Sequence, residues 1–86
     1  EAYNIVKAIL RSATDAQRIA MRDTKSYCGV LLDDNNRKPI CRFHFNGKQK
    51  YIGLMTDKNE TREPIESLDD IFSFSNKLTE TLKEYL

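Results

Sequence analysis

Apolar residues recur at two different spacings along this chain, and the change of spacing divides it into three parts. From Ala2 to about Ala13, Ile5, Val6, Ile9, Leu10 and Ala13 follow the helical interval with Lys7 and Arg11 opposite, which predicts an amphipathic helix of about three turns. Ser12, Thr14 and Asp15 then let the chain turn. The middle third changes to strict alternation. Arg18, Arg22, Arg42, His44 and Tyr51 fall on one parity, whereas Ile19, Met21, Cys41, Phe43, Phe45, Ile52 and Leu54 fall on the other, as in a sheet with one face in a core and one in water. The β-prone runs are Arg18 to Thr24, Tyr27 to Leu32, Ile40 to Asn46 and Tyr51 to about Thr56. Between them, the polar run from Asp33 to Lys38, closed by Pro39, reads as a hairpin loop, and Asn46-Gly47 as a turn.

From Asp57 to Glu63 the chain is charged and has no apolar periodicity, so an exposed loop is expected there. Ser67 can cap a helix, and Asp69 and Asp70 put negative charge at its positive end; Asp70 stands where a capping box prefers glutamate. Leu68, Ile71, Phe72, Phe74, Leu78, Leu82 and Tyr85 predict a helix of about five turns running to Leu86. Both helices need an apolar surface, and the sheet offers one. The predicted fold is therefore α+β, a two-layer sandwich with an antiparallel meander of three to four strands, ordered α-β-β-β-β-α, with both helices on one sheet face and the basic face open.

Eighty-six residues, 40% hydrophobic and 31% charged, suit one folded domain spanning 1–86. No apolar run approaches the roughly 20 residues of a spanning helix, and no signal peptide is evident, so a cytoplasmic protein is expected. The chain begins Glu-Ala-Tyr without an initiating methionine, which suggests a segment of a longer protein. Cys28 and Cys41 share the apolar parity, as buried free thiols would; whether they touch depends on a register the sequence does not fix. The net charge is only +1, but it is unevenly spread. From Ala16 to Gly53, eight basic residues face three acidic ones; from Leu54 to Leu86, four face eight. A positive sheet and a negative C-terminal helix are expected.

The candidate site is this basic face. Arg18, Arg22 and Arg42 can fork onto phosphates, Lys48 and Lys50 stand in the adjoining turn, and Tyr51, with Tyr27 as a second ring, can stack on a base. Arg37 and Lys38 are further backbone contacts, and His44 is a surface contact next to Arg42. The bland reading is a solvated face whose arginines pair with Asp23 or another carboxylate. Asp33, Asp34, Asn35 and Asn36 could offer oxygen ligands to a divalent cation, but they lack the glycine and distal glutamate of a calcium loop and read better as a turn. His44 has no partner in the sequence that would make it a general base or complete a metal-ligand set. No catalytic residue, metal or cofactor is expected.

The runs from Arg22 to Tyr27, from Leu31 to Arg42 and from Ile65 to Ile71 resemble a C-terminal domain of bacterial predicted restriction endonucleases. In those proteins an N-terminal domain related to the nuclease region of type I restriction R subunits supplies the cleavage site. The resemblance implies an accessory role without catalytic residues: recognition of DNA, contact with the catalytic domain of the same parent chain, or assembly of a homodimer. DNA recognition is the expectation that the basic face favours. The alternative is a protein-protein interaction or dimerisation domain using Phe72, Phe74 or Tyr85, and neither involves a membrane.

Overall fold

In a computed structural model, which describes residues 1–57 and 59–86, helix α1 (Ala2–Leu10) is followed by a short 3-10 turn at Ala16–Arg18 and by five strands: β1 (Ile19–Asp23), β2 (Cys28–Leu32), β3 (Pro39–His44), β4 (Lys50–Thr56) and β5 (Asn59–Ile65). A 3-10 segment, Leu68–Phe74, then leads into helix α2 (Ser75–Lys83). The strands form one antiparallel sheet in chain order. This is the expected α+β architecture, with a helix at each end of the chain.

Alternation explains which side the helices take. Val30, Leu32, Cys41, Phe43, Ile52 and Leu54 share one sheet face and join Val6 and Leu10 of α1, Ile71, and Leu78 and Leu82 of α2 in a single buried core. Removing each such side chain from water contributes about 1.5–3 kcal/mol. Polar ties lock the layers together: Tyr3 Oη donates to the Ile19 carbonyl (2.6 Å), Thr81 Oγ1 to Met55 (2.8 Å) and Tyr85 Oη to Pro39 (2.8 Å). Among the described residues no helix is long and apolar enough to cross a membrane.

The sheet has five strands rather than three or four, because the segment expected to loop from Asp57 to Glu63 largely forms β5. Its side chains are mostly polar, and only Ile65 is buried. At a sheet edge the backbone ladder to β4, from Thr56 opposite Asn59 to Lys50 opposite Ile65, suffices without an apolar face, and Pro64 is tolerated there. Lys58, counted among the basic residues of the C-terminal third, lies outside the described residues.

The C-terminal helix is also shorter than its apolar spacing predicts. Ser73 Oγ donates to the Asp70 carbonyl and Ser75 Oγ to the Phe72 carbonyl, so hydroxyls compete for the backbone acceptors and the first turns stay 3-10. Asp70 does act as a cap, accepting from the backbone N–H groups of Glu66 (2.7 Å) and Ser67 (3.1 Å), which holds its carboxyl below the usual range. Of the three residues expected on an open pairing surface, Phe72 alone is exposed; Phe74 and Tyr85 are half-buried against the core. The cysteines are free. Cys28 stands opposite Phe43 and Cys41 opposite Val30, so the two lie diagonally across the β2–β3 pair, and burial pushes the Cys41 thiol up.

Candidate functional site

The face away from the helices is organised by one cross-strand row. Arg22 of β1 is opposite Gly29, Gly29 is opposite Arg42, Arg42 is opposite Gly53, and Gly53 is opposite Arg62 of β5. Three arginines thus alternate with two glycines across the whole sheet. Each glycine leaves room that another side chain uses. The Tyr27 ring lies over Gly29, 3.5 Å from where a Cβ would be, and the Arg42 guanidinium stacks on it 4.6 Å from the centroid. At Gly53 a Cβ would overlap the Glu60 carboxylate, which crosses β4 at that point.

Glu60 reaches β3 by this route. Its Oε1 accepts from Arg42 Nη1 (3.2 Å), its Oε2 from His44 Nε2 (2.5 Å), and Arg62 Nε lies 3.7 Å from Oε2. An ionised carboxylate only accepts, which assigns the hydrogen to His44 Nε2. The Tyr27 and His44 rings are 5.8 Å apart and tilted by 51°. Around them opens a groove of about 480 Å³, walled by Tyr27, Arg42, His44, Tyr51 and Arg62. Two turns close its end: Asn46 Nδ2 donates to the carbonyls of Lys25 (2.9 Å) and Ser26 (3.3 Å), tying the β3–β4 turn to the β1–β2 turn. Thr24 Oγ1 accepts from the Tyr27 N–H (3.1 Å) and sets the start of β2 beneath the ring.

The other end of the face is built differently. Asp33 and Asp34 both have φ near 55°, and the Asn35 N–H donates to the Leu32 carbonyl (3.0 Å), so the β2–β3 hairpin turns through two left-handed residues. Arg18 grips Asp33 with two bonds, Nε at 2.9 Å and Nη2 at 2.8 Å, and Arg22 reaches Asp34 (2.8 Å) and Asn36 (2.5 Å). The hydrogen bonds from Arg18 hold the Asp33 carboxyl below its ordinary range. Both arginines are therefore engaged by the hairpin, as in the bland reading, although the acids are Asp33 and Asp34 rather than Asp23. These pairs also occupy the carboxylates that a cation would need, and no group of three His, Cys, Asp or Glu among the described residues is placed to hold a metal ion.

The remaining candidates divide between the two ends. Arg42, His44 and Tyr51 meet in the groove, and exposed Lys48 sits in the turn beside it. Arg37 and Lys38 stay with the hairpin; Arg18 belongs to the 3-10 turn before β1. Lys50 is a correction: it pairs with Ile65 and stands on the helix side, its Nζ 5.9 Å from the Phe45 ring, because its parity is that of Ile52 rather than Tyr51. Glu60 and Arg62 were not foreseen, since they lie on the strand that reads as a loop. The signal available was Gly53 inside a strand pattern, which marks a close approach.

Chemically the groove offers guanidinium, imidazole and phenol groups, of which Arg42 and His44 are paired with the Glu60 carboxylate. Ser26 adds a hydroxyl to its wall. No protein-family model, curated protein or solved structure matches the chain.

Proposed function

We propose that the chain is a nucleic-acid-binding module that holds an extended single strand across the open sheet face, without cleaving it. The observation carrying this reading is the juxtaposition of Tyr27 and Tyr51 with Arg42 and Arg62 in one solvent-open groove. Aromatic rings take unstacked bases of any sequence, and guanidinium groups follow the phosphates between them. Duplex fits less well. A five-stranded sheet is roughly 20 Å across at strand spacing, too broad for the ~12 Å major groove, and its tyrosines meet bases only when these are unstacked. On the resemblance to C-terminal domains of restriction endonucleases, such a module would serve DNA recognition for a nuclease domain.

Fluorescence-anisotropy titration of labelled single-stranded and duplex DNA, and of single-stranded RNA, at low and near-physiological salt tests the reading. The expected result is salt-sensitive binding of single strands, weakened by Tyr51→Ala and by Arg62→Glu. No binding at low salt overturns it. In that event an interaction domain is the next reading, because Phe72 on the 3-10 segment is about half exposed (49%), and mass measured against concentration decides it.

A further inference from the structure

Glu60 is the one acceptor side chain in a knot of donors. Arg42 and His44 donate to its two oxygens from 3.2 and 2.5 Å and the Arg62 guanidinium lies 3.7 Å away as an ion pair, so the basic groups come from β3 and β5 on either side of Gly53. Glu60 itself stands on edge strand β5, opposite Met55 near the β4–β5 turn, and reaches the donors only across the gap that glycine leaves. Its side chain retains 16% exposure, while its three partners, Arg42, His44 and Arg62, line the open groove. Arg42 and His44 thus define an anion seat on β3, and the carboxylate filling it reaches them from edge strand β5, which also carries Arg62.

We propose that this seat is a phosphate subsite, and that Glu60 is the internal counter-ion a phosphate of the bound strand displaces. The inference rests on the nucleic-acid reading above. Carboxylate and phosphate oxygens accept the same charge-assisted hydrogen bonds, and an arginine fork fits either, so the exchange leaves no half-buried donor unpaired. A simple anion attracted only by net charge gains little against a tethered carboxylate. A strand that also stacks on Tyr51 brings its phosphate to the seat at high effective concentration and outcompetes Glu60. Glu60 is accordingly a specificity-determining residue: it suppresses indiscriminate anion binding and admits ligands that engage the aromatic wall.

Two probes test this on the wild-type chain, Glu60→Gln and Glu60→Ala. The first is a labelled single-stranded oligonucleotide followed by anisotropy. The second is inorganic phosphate followed by the ¹⁵N signals of the His44 imidazole, at ionic strength matched with chloride. The expected result is about tenfold tighter oligonucleotide binding by both variants, together with a saturable phosphate-dependent shift at His44 in Glu60→Ala that is absent from wild type at the same concentration. Glu60→Gln keeps the side-chain shape and carries the phosphate titration if Glu60→Ala loses its fold. Equal or weaker oligonucleotide binding by folded variants, with no saturable shift at His44, overturns the seat even if the wild type binds nucleic acid. A saturable phosphate shift with no oligonucleotide binding by any of the proteins supports the seat and overturns the nucleic-acid reading.

Discussion

The two ends of the open sheet face use the same chemistry for different ends. At the β2–β3 hairpin, Arg18 and Arg22 clasp Asp33 and Asp34, carboxylates carried by the turn that folds back beside them. At the groove, Arg42 and His44 share Glu60, which comes from the far edge strand and depends on a glycine for its path. The first set repays a turn that places two non-glycine residues in the left-handed region, at roughly 1 kcal/mol or more each. The second set is lined by two tyrosines and borders open space. A cluster of arginines on one parity therefore does not by itself mark a binding face. The two sets differ in the origin of the counter-ion: the adjoining hairpin supplies it to Arg18 and Arg22, and a strand beyond β4 supplies it to Arg42 and His44.

The sharpest way to break this comparison is to fill the glycine gap. Gly53→Val should cost about 1–3 kcal/mol in urea unfolding and detach Glu60 from Arg42 and His44, because the new side chain takes the space of the carboxylate. Gly47→Ala is the control: its Cβ would meet nothing closer than the Gln49 carbonyl at 3.8 Å, and the stability should hold or rise slightly. Wild-type stability and unchanged His44 signals in Gly53→Val would show that the groove is not built around that gap.

Next comes the division of labour between cations. Reversing the two most solvent-open ones at the groove, Lys48→Glu with Arg62→Glu, should weaken oligonucleotide binding by at least about tenfold while leaving the unfolding midpoint in place. Arg18→Ala should do the opposite. It should lower the unfolding midpoint only slightly, as loss of an exposed ion pair does, and leave affinity unaltered. If Arg18→Ala abolished binding without destabilising the chain, the hairpin would have to be counted with the groove.

The same contrast explains what could be read from sequence. β1 to β4 and α1 were legible from their apolar spacing, and Arg42, His44 and Tyr51 inherited their placement from that parity; Met21, on the apolar parity of β1, is nevertheless 48% exposed, because β1 is an edge strand that the core covers only at Ile19. Lys50 opens β4 with the parity of Ile52, so it leaves the turn and the face that Tyr51 occupies. β5 left no apolar trace, since an edge strand pairs through its backbone, and with it went Glu60 and Arg62. That loss also hid half of the electrostatics: the acidic C-terminal third supplies a carboxylate to the basic sheet. The ion pairs of Arg18 and Arg22 depend on the hairpin folding back through Asp33 and Asp34, a long-range consequence of a local turn.

The smallest expected effect concerns acid. Hydrogen bonds from Arg18 lower the folded-state pKa of Asp33, and the backbone N–H groups of Glu66 and Ser67 lower that of Asp70. A carboxyl with a depressed folded pKa contributes stability that is fully present above its unfolded value, near 3.8, and is lost as pH falls through the folded value. Urea midpoints should thus be flat in these two terms from pH 7 to about 5 and decline below about 4. Asp33→Asn removes one contribution: the variant should be slightly less stable at neutral pH and should lose less on acidification, with oligonucleotide affinity at neutral pH as in wild type. Asp70→Asn should flatten the acid limb in the same direction while acting from the helix side, where no binding is proposed. An acid limb equally steep in Asp33→Asn would mean that the Arg18 clasp does not persist in solution, and the hairpin arginines would then be as free to meet a ligand as those of the groove.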